Sequence, residues 1–227
     1  MPTADTMNVL LDLDGTLTDS GEGIARSIVH ALAGLGRPRP DWTELTRYVG
    51  PPLADTFRAL LGTADEALVR EALRLYRERF AAVGIFENRV YAGIPAGLSA
   101  LRAQGYRLWI ATTKPQVFAR QVLEHFGLAP HFAGVYGSEL TGERTDKGEL
   151  IRHLLASERL PAQTAVMVGD REHDIRGARQ NGLRAIGVSW GYGAAGELAA
   201  ARPAAILESP GELVGAVSRL LPSGREK

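Results

Sequence analysis

The sequence contains no cysteine, which excludes a disulfide framework, thiolate zinc sites and a cysteine nucleophile. It also lacks an excess of either charge. Lys plus Arg and Asp plus Glu number 26 each, so no global field draws in nucleic acid or an anionic membrane. A small-molecule partner is the resulting expectation. No apolar run approaches membrane-spanning length, and the opening MPTADTMNVLLDLDG has no basic segment followed by an apolar stretch of signal-peptide length, so a cytoplasmic location is expected. No repeat is evident at solenoid-like periods, and 227 residues allow one large domain or an ordinary domain with a smaller insert.

What is present is an alternation. Five short apolar runs, 8–13, 106–112, 132–136, 164–168 and 183–189, are too short for helices and read as buried strands. Helix-length stretches at 97–103, 116–126, 147–156 and 174–181 lie between them, which predicts a parallel sheet covered on both faces. Ser209-Pro210-Gly211-Glu212 predicts an N-cap, a first-turn proline and a capping glutamate for a last helix running to Leu221.

Residues 20–88 break the alternation, because their apolar positions fall at helical spacing. Helices are predicted over 23–35, 42–49, 52–61 and 66–83, with Asp41 to Glu44 and Thr63 to Glu66 spaced as capping boxes. The expected organisation is a core of residues 1–19 and 89–227 and a helical unit of residues 20–88.

In open α/β sheets ligands bind beyond the carboxyl ends of the strands. There the first run delivers Asp12 and Asp14, the second Thr112, Thr113 and Lys114, and the fourth Asp170, with Asp174 one helical turn later. Lys147 opens a helix between them. Carboxylates with Lys147 and paired hydroxyls suit a hard divalent cation beside a phosphate. Taken singly each has a plainer reading: Asp-x-Asp as a turn, the threonines as a helix cap, Lys147 as a surface charge. His173, with no second histidine at ligand spacing, reads as a helix-start residue and not as a metal ligand. Their joint occurrence in chain order favours a site.

These residues resemble the motifs of the haloacid dehalogenase-like phosphatases across nearly the whole chain. The first motif is Leu10-Leu11-Asp12-Leu13-Asp14-Gly15-Thr16, the second Trp109-Ile110-Ala111-Thr112, the third the lysine of Asp146-Lys147-Gly148, and the fourth Val168-Gly169-Asp170-Arg171-Glu172-His173-Asp174. Thr112-Thr113-Lys114-Pro115 and Trp190-Gly191-Tyr192-Gly193 are similar to the subgroup of phosphoglycolate phosphatases and bacterial 5′-nucleotidases. The resemblance implies a Rossmann-like, doubly wound parallel α/β core with an inserted small α-helical cap domain.

It further implies hydrolysis of a small phosphorylated metabolite, 2-phosphoglycolate or a nucleoside 5′-monophosphate, through an aspartyl-phosphate. Asp12 would be the nucleophile and Asp14 the acid and base, while Thr112 and Lys147 would hold phosphoryl oxygens. Mg²⁺ would be bound by Asp12, Asp170, the backbone carbonyl of Asp14 and, directly or through water, Asp174. Leu13, Thr113 and Lys114 would contact substrate, and Gly50 and Pro51 would lie in a cap loop reaching the site. No nucleic acid or membrane partner is expected, and the chain would be a monomer or a homodimer. A phosphomutase of the same fold, a metal-free dehalogenase and a non-catalytic phosphometabolite-binding module are the alternatives. The last would be expected to have lost a charged position, and none is lost.

Overall fold

A computed structural model of the chain describes residues 6–41, 45, 48–194 and 196–222. Its centre is a six-stranded parallel sheet in the order β5-β4-β1-β6-β7-β8. In chain order the strands are β1 (Asn8–Leu11), β4 (Arg107–Pro115), β5 (Phe132–Ser138), β6 (Ala165–Gly169), β7 (Arg184–Val188) and β8 (Ala205–Leu207). The chain builds outward from β1 to β4 and β5, then crosses back to β6 on the other side of β1. This reversal is a doubly wound switch point, where strand ends diverge and leave a crevice.

The sheet sorts its side chains by the two-residue period of a strand. Val9, Leu11, Leu108, Ile110, Val166 and Val168 belong to one buried cluster, and Leu10, Trp109, Ala111, Ala165 and Met167 to the other. Burying a side chain of the Leu or Val type stabilises by about 1.5–3 kcal/mol relative to exposure, so a two-faced core of this size is what holds β1 and β6 rigid. Strand β1 is buried along its whole length.

Two short strands, β2 (Thr18–Asp19) and β3 (Arg89–Val90), pair antiparallel just beyond β1. The helices α1 (Gly21–Gly34), α2 (Leu53–Leu61) and α3 (Glu66–Arg79) lie between them in sequence. Phe57, Tyr76, Phe80 and Phe118 form a string of rings with centroids 6.2, 5.4 and 5.4 Å apart, joining α2 and α3 to the helix after β4. The remaining helices are α4 (Ile94–Ala103), α5 (Gln116–His125), α6 (Lys147–Glu158), α7 (Glu172–Gln180), α8 (Glu197–Ala201) and α9 (Leu213–Leu220). No described helix is long and apolar enough to cross a membrane.

Several expectations are corrected. Strand β1 stops at Leu11, not at residue 13, because the backbone turns at Asp12 to Gly15; β4 and β5 instead run further, to Pro115 and Ser138. Strands β2, β3 and β8 have no counterpart in the five predicted runs, being two or three residues long. The predicted helix over 66–83 ends at Arg79 and continues as a wider π turn over Phe80–Gly84. Its N-cap is Asp65, whose carboxylate accepts from Ala67 and Leu68 N–H, so the Thr63–Glu66 capping box does not form. Thr63 Oγ1 accepts from Asp65 N–H instead. The Ser209–Glu212 box forms, opening on a 3₁₀ turn before α9. The predicted helix over 42–49 and the Asp41–Glu44 box lie largely outside the described residues.

Candidate active site

Asp12 is the first residue beyond β1, anchored by its N–H to the Val168 carbonyl at 2.9 Å. The next residues fold back on themselves, with the N–H groups of Leu17 and Thr18 donating to Leu13 O at 2.9 and 3.1 Å. Gly15 sits at φ +83°, and a Cβ there would meet Asp170 Oδ2 at 2.2 Å. Only glycine allows this turn to pass so close to the carboxylate.

Four charged groups converge at the switch point. Asp12, Asp170 and Asp174 each place a carboxylate oxygen within 4.8 Å of the others, all buried. Lys147, only 5% exposed, opens α6; its Nζ donates to Asp12 Oδ1 at 2.9 Å and to Ala111 O at 2.8 Å, and lies 2.7 Å from Asp174 Oδ1. The lysine is aimed inward by the helix start, where the Asp146 carboxylate accepts from Glu149 N–H. Asp170 Oδ2 accepts from Tyr192 N–H at 2.8 Å, and its Oδ1 accepts weakly from Thr16 Oγ1 at 3.4 Å. Asp174 Oδ2 accepts from Arg171 N–H at 3.1 Å.

Three carboxylates against one lysine leave the cluster short of positive charge. Burial raises the Asp12 carboxyl to about 6; Lys147 opposes this, while Asp174 and Asp14 add to it. Asp170 is raised well above the carboxylate range by burial, then by Asp12 and Asp174. Burial pulls the Lys147 amine down, but Asp12 and Asp174 outweigh it and hold it above the ordinary lysine range. A buried oxygen-donor set with surplus negative charge fits a hard divalent cation. The three carboxylates could hold a metal ion.

Asp14 lies apart from this cluster. Lys114 Nζ donates to both its oxygens, at 3.0 and 2.9 Å, and rests 4.7 Å from the Phe80 ring centroid. Thr112, also buried, accepts from Lys114 N–H with its hydroxyl at 3.3 Å. The plainer reading of the threonines as a helix cap does not hold, since α5 has Pro115 at its N-cap and no side-chain cap.

The segment before α2 reaches the same crevice. Thr113 Oγ1 donates to Gly50 O at 3.2 Å, and Arg171 Nη1 donates to Val49 O at 2.5 Å while its Nε is held by Glu197 at 2.9 Å. Gly50 and Pro51 join Asp12, Asp14 and Thr112 around a cavity of about 490 Å³. Its far wall comes from α3 and the π turn, through Arg70, Leu73, Tyr76, Arg77 and Phe80.

The sequence-predicted residues other than Leu13, whose side chain is fully buried in the core, are therefore brought together in two groups, Asp12, Asp170, Asp174 and Lys147 in one, and Asp14, Lys114, Thr112, Thr113, Gly50 and Pro51 in the other. Sequence reasoning missed Ser138, Arg171 and Tyr192. Ser138 Oγ donates to Thr113 O at 2.7 Å, and the predicted strand stopped two residues short of it. Arg171 and Tyr192 stood inside the quoted motifs, but nothing in spacing shows that one reaches Val49 and the other Asp170.

A family model described as haloacid dehalogenase-like hydrolase matches residues 9–188. A 5′-nucleotidase from Pseudomonas aeruginosa is 53% identical over 86% of this chain and 88% of its own length. A tyrosine-protein kinase, PtkA, from Mycobacterium tuberculosis is 43% identical over 82% of this chain and 63% of its own length. The crystal structure of a predicted phosphatase from Clostridium acetobutylicum superposes with a TM-score of 0.90 at 42% identity, covering 94% of this chain and 99% of that one.

Proposed function

The chain belongs to the haloacid dehalogenase-like hydrolase family, and we propose that it is a Mg²⁺-dependent phosphatase acting on a small phosphomonoester through a phospho-aspartate at Asp12. The observation that carries this reading is the buried cluster of Asp12, Asp170, Asp174 and Lys147 at the switch point. The 5′-nucleotidase relative favours a nucleoside 5′-monophosphate as substrate, and the Trp190-to-Gly193 motif leaves 2-phosphoglycolate beside it.

Asp12 Oδ attacks phosphorus, forming an acyl phosphate as the bond to the leaving oxygen breaks. Asp14 gives that oxygen a proton, then takes one from the water that attacks phosphorus in the second step. Phosphate leaves and the Asp12 carboxylate is regenerated. Lys147 and Thr112 hold the phosphoryl oxygens, with backbone amides at Leu13, Asp14 and Thr113 completing the cradle. Lys147 also keeps Asp12 oriented. Asp12, Asp170, the Asp14 carbonyl and Asp174 would hold Mg²⁺, which when bound neutralises charge on carboxylates and phosphate.

Residues 20–88 act in this reading as a cap domain over a core of residues 1–19 and 89–227. The cradle recognises only the group common to all substrates, so discrimination falls to the cap, through the Gly50-Pro51 loop and the α3 wall. Enclosure also limits water. The test is phosphate release from a panel of nucleoside monophosphates, 2-phosphoglycolate and sugar phosphates, with Mg²⁺ or EDTA. Release that EDTA abolishes is expected, and no release from any of them would refute the hydrolytic reading. Hydrolysis without a bisphosphate activator separates this reading from a phosphomutase.

A further inference from the structure

Tyr192 touches two parts of the molecule that chemistry would require to act together. Its N–H donates to Asp170 Oδ2 at 2.8 Å, and its ring lies beside the Asp12-to-Gly15 turn, where a Cβ on Gly15 would meet Cδ2 at 2.9 Å. Its hydroxyl accepts from Gly21 N–H at 2.7 Å and donates to Asp19 Oδ1. Gly21 is the first residue of α1, which has no side-chain cap at Ser20. The Tyr192 hydroxyl therefore satisfies an amide that a helix start leaves without an intrahelical partner. Asp19 is in β2, and its other oxygen accepts from Arg89 of β3 at 2.7 and 2.9 Å. Tyr192 thus holds the outgoing arm of the ribbon at Asp19 and Gly21, and Asp19 in turn ties that arm to the returning one at Arg89.

The neighbours of Tyr192 hold it there. Trp190 Nε1 donates to Thr16 O at 3.1 Å, and Trp190 packs edge-on to Tyr91 with ring centroids 6.5 Å apart. Gly191 passes so near Asp170 that a Cβ would meet its Cβ at 2.4 Å. The loop after β7 is therefore fastened to Asp170 at its backbone and to the ribbon at its tip.

We propose that Tyr192 is a positioning residue that couples the Asp170 carboxylate to the hinge of the helical insertion. A shift of Asp170 moves the Tyr192 backbone, and the rigid phenol carries that displacement to Asp19 and Gly21. The coupling needs only these hydrogen bonds; its use in turnover, setting the cap when Asp170 is engaged, rests on the hydrolytic reading above.

The experiment is a double-mutant cycle on the full chain without metal, read by hydrogen exchange of the amides of residues 19–24. Tyr192→Phe removes only the hydroxyl, and Asp170→Ala removes the acceptor of the Tyr192 N–H while relieving repulsion among buried carboxylates. Each is expected to speed exchange at these amides by about tenfold, the equivalent of one hydrogen bond, with α6 unchanged in Tyr192→Phe. The double variant is expected to exceed neither single one, because both cut the same link. Asp170→Leu, close to aspartate in shape but without an acceptor, is measured alongside and must move the same amides if Asp170→Ala disturbs the fold. Unchanged exchange in Tyr192→Phe, or effects that multiply to about a hundredfold, would overturn the proposal. Calorimetric titration of the wild type with Mg²⁺ separates the two readings. A non-additive cycle without Mg²⁺ binding sinks the metal and keeps the coupling, and binding with a multiplicative cycle does the reverse.

Discussion

Lys147 Nζ stands 2.9 Å from Asp12 Oδ1 and is the only lysine or arginine ion-paired with the Asp12, Asp170 and Asp174 cluster among the described residues. Its removal therefore leaves buried negative charge without a counter-ion. Lys147→Gln is expected to lower stability near pH 7.5 by about 3–5 kcal/mol, the usual cost of breaking a buried pair by deleting one partner. Turnover should fall by about 10²- to 10³-fold, as for a lost donor at a developing charge. Thermal unfolding and steady-state rates check the two. A variant as stable as the wild type would mean that Lys147 is not compensating the cluster.

The raised Asp12 carboxyl makes a pH prediction whose sign follows from linkage. Its folded value of about 6 exceeds the reference 3.8, so between these the folded state binds more protons than the unfolded. Stability contributed by Asp12 therefore falls as pH rises through that window, and Asp170, shifted the same way, reinforces it. A dication offsets this penalty only when the carboxylates are ionised. Adding Mg²⁺ is thus expected to raise the unfolding temperature more at pH 7.5 than at pH 5, and the Mg²⁺ concentration for half activity should climb as pH drops below about 6. Equal thermal shifts at both pH values would count against metal binding at this cluster.

Gly50 tests the proposed cap loop. It sits at φ +107°, and a Cβ would meet Arg171 Nη1 at 3.1 Å, the guanidinium that holds Val49 O. Gly50→Ala is expected to cost about 1 kcal/mol for the left-handed backbone. It should also loosen the Arg171 and Thr113 contacts. KM for the best metabolite should rise several-fold while hydrolysis of p-nitrophenyl phosphate changes little, since that leaving group needs no cap recognition. Equal losses on both substrates would mark the loop as structural.

The legible parts of the fold are those that repeat physical periods. Leu10-Leu11 and Val166-Met167-Val168 announce fully buried strands, and β1 and β6 lead directly into Asp12 and Asp170, whereas Thr112 lies inside β4. The short strands β2, β3 and β8 were not legible, since two or three residues set no period and owe their pairing to tertiary contacts. Lys114 shows the same limit within the site. Its place after Thr112 and Thr113 is visible in sequence, but the reach of its amine to Asp14, 100 residues away, is not. Tyr192 meets Asp19 across 173 residues, a contact no local pattern encodes.

The pairing of Lys114 with both Asp14 oxygens sharpens the test of Asp14 as acid and base. Lys114 fixes the orientation of the Asp14 carboxylate while each oxygen keeps a further lone pair on which a proton can be carried to a leaving oxygen. A metabolite alkoxide needs the proton, whereas p-nitrophenolate departs without it. In the proposed second step, attack of water on the phospho-aspartate would need Asp14 whichever group has left. A positioned acid or base is worth about 10² to 10⁴ in rate, so Asp14→Asn should nearly stop phosphorylation by a metabolite and spare much of it with the activated ester. Dephosphorylation should be slow in both cases. Asp14→Asn mixed with p-nitrophenyl phosphate and quenched in acid is therefore expected to accumulate phosphate on Asp12, seen by mass spectrometry as an added phosphoryl group on the peptide containing it. The metabolite should give little. A burst of p-nitrophenolate with no modified peptide would contradict the covalent route, and rapid turnover of both substrates would remove Asp14 from either role.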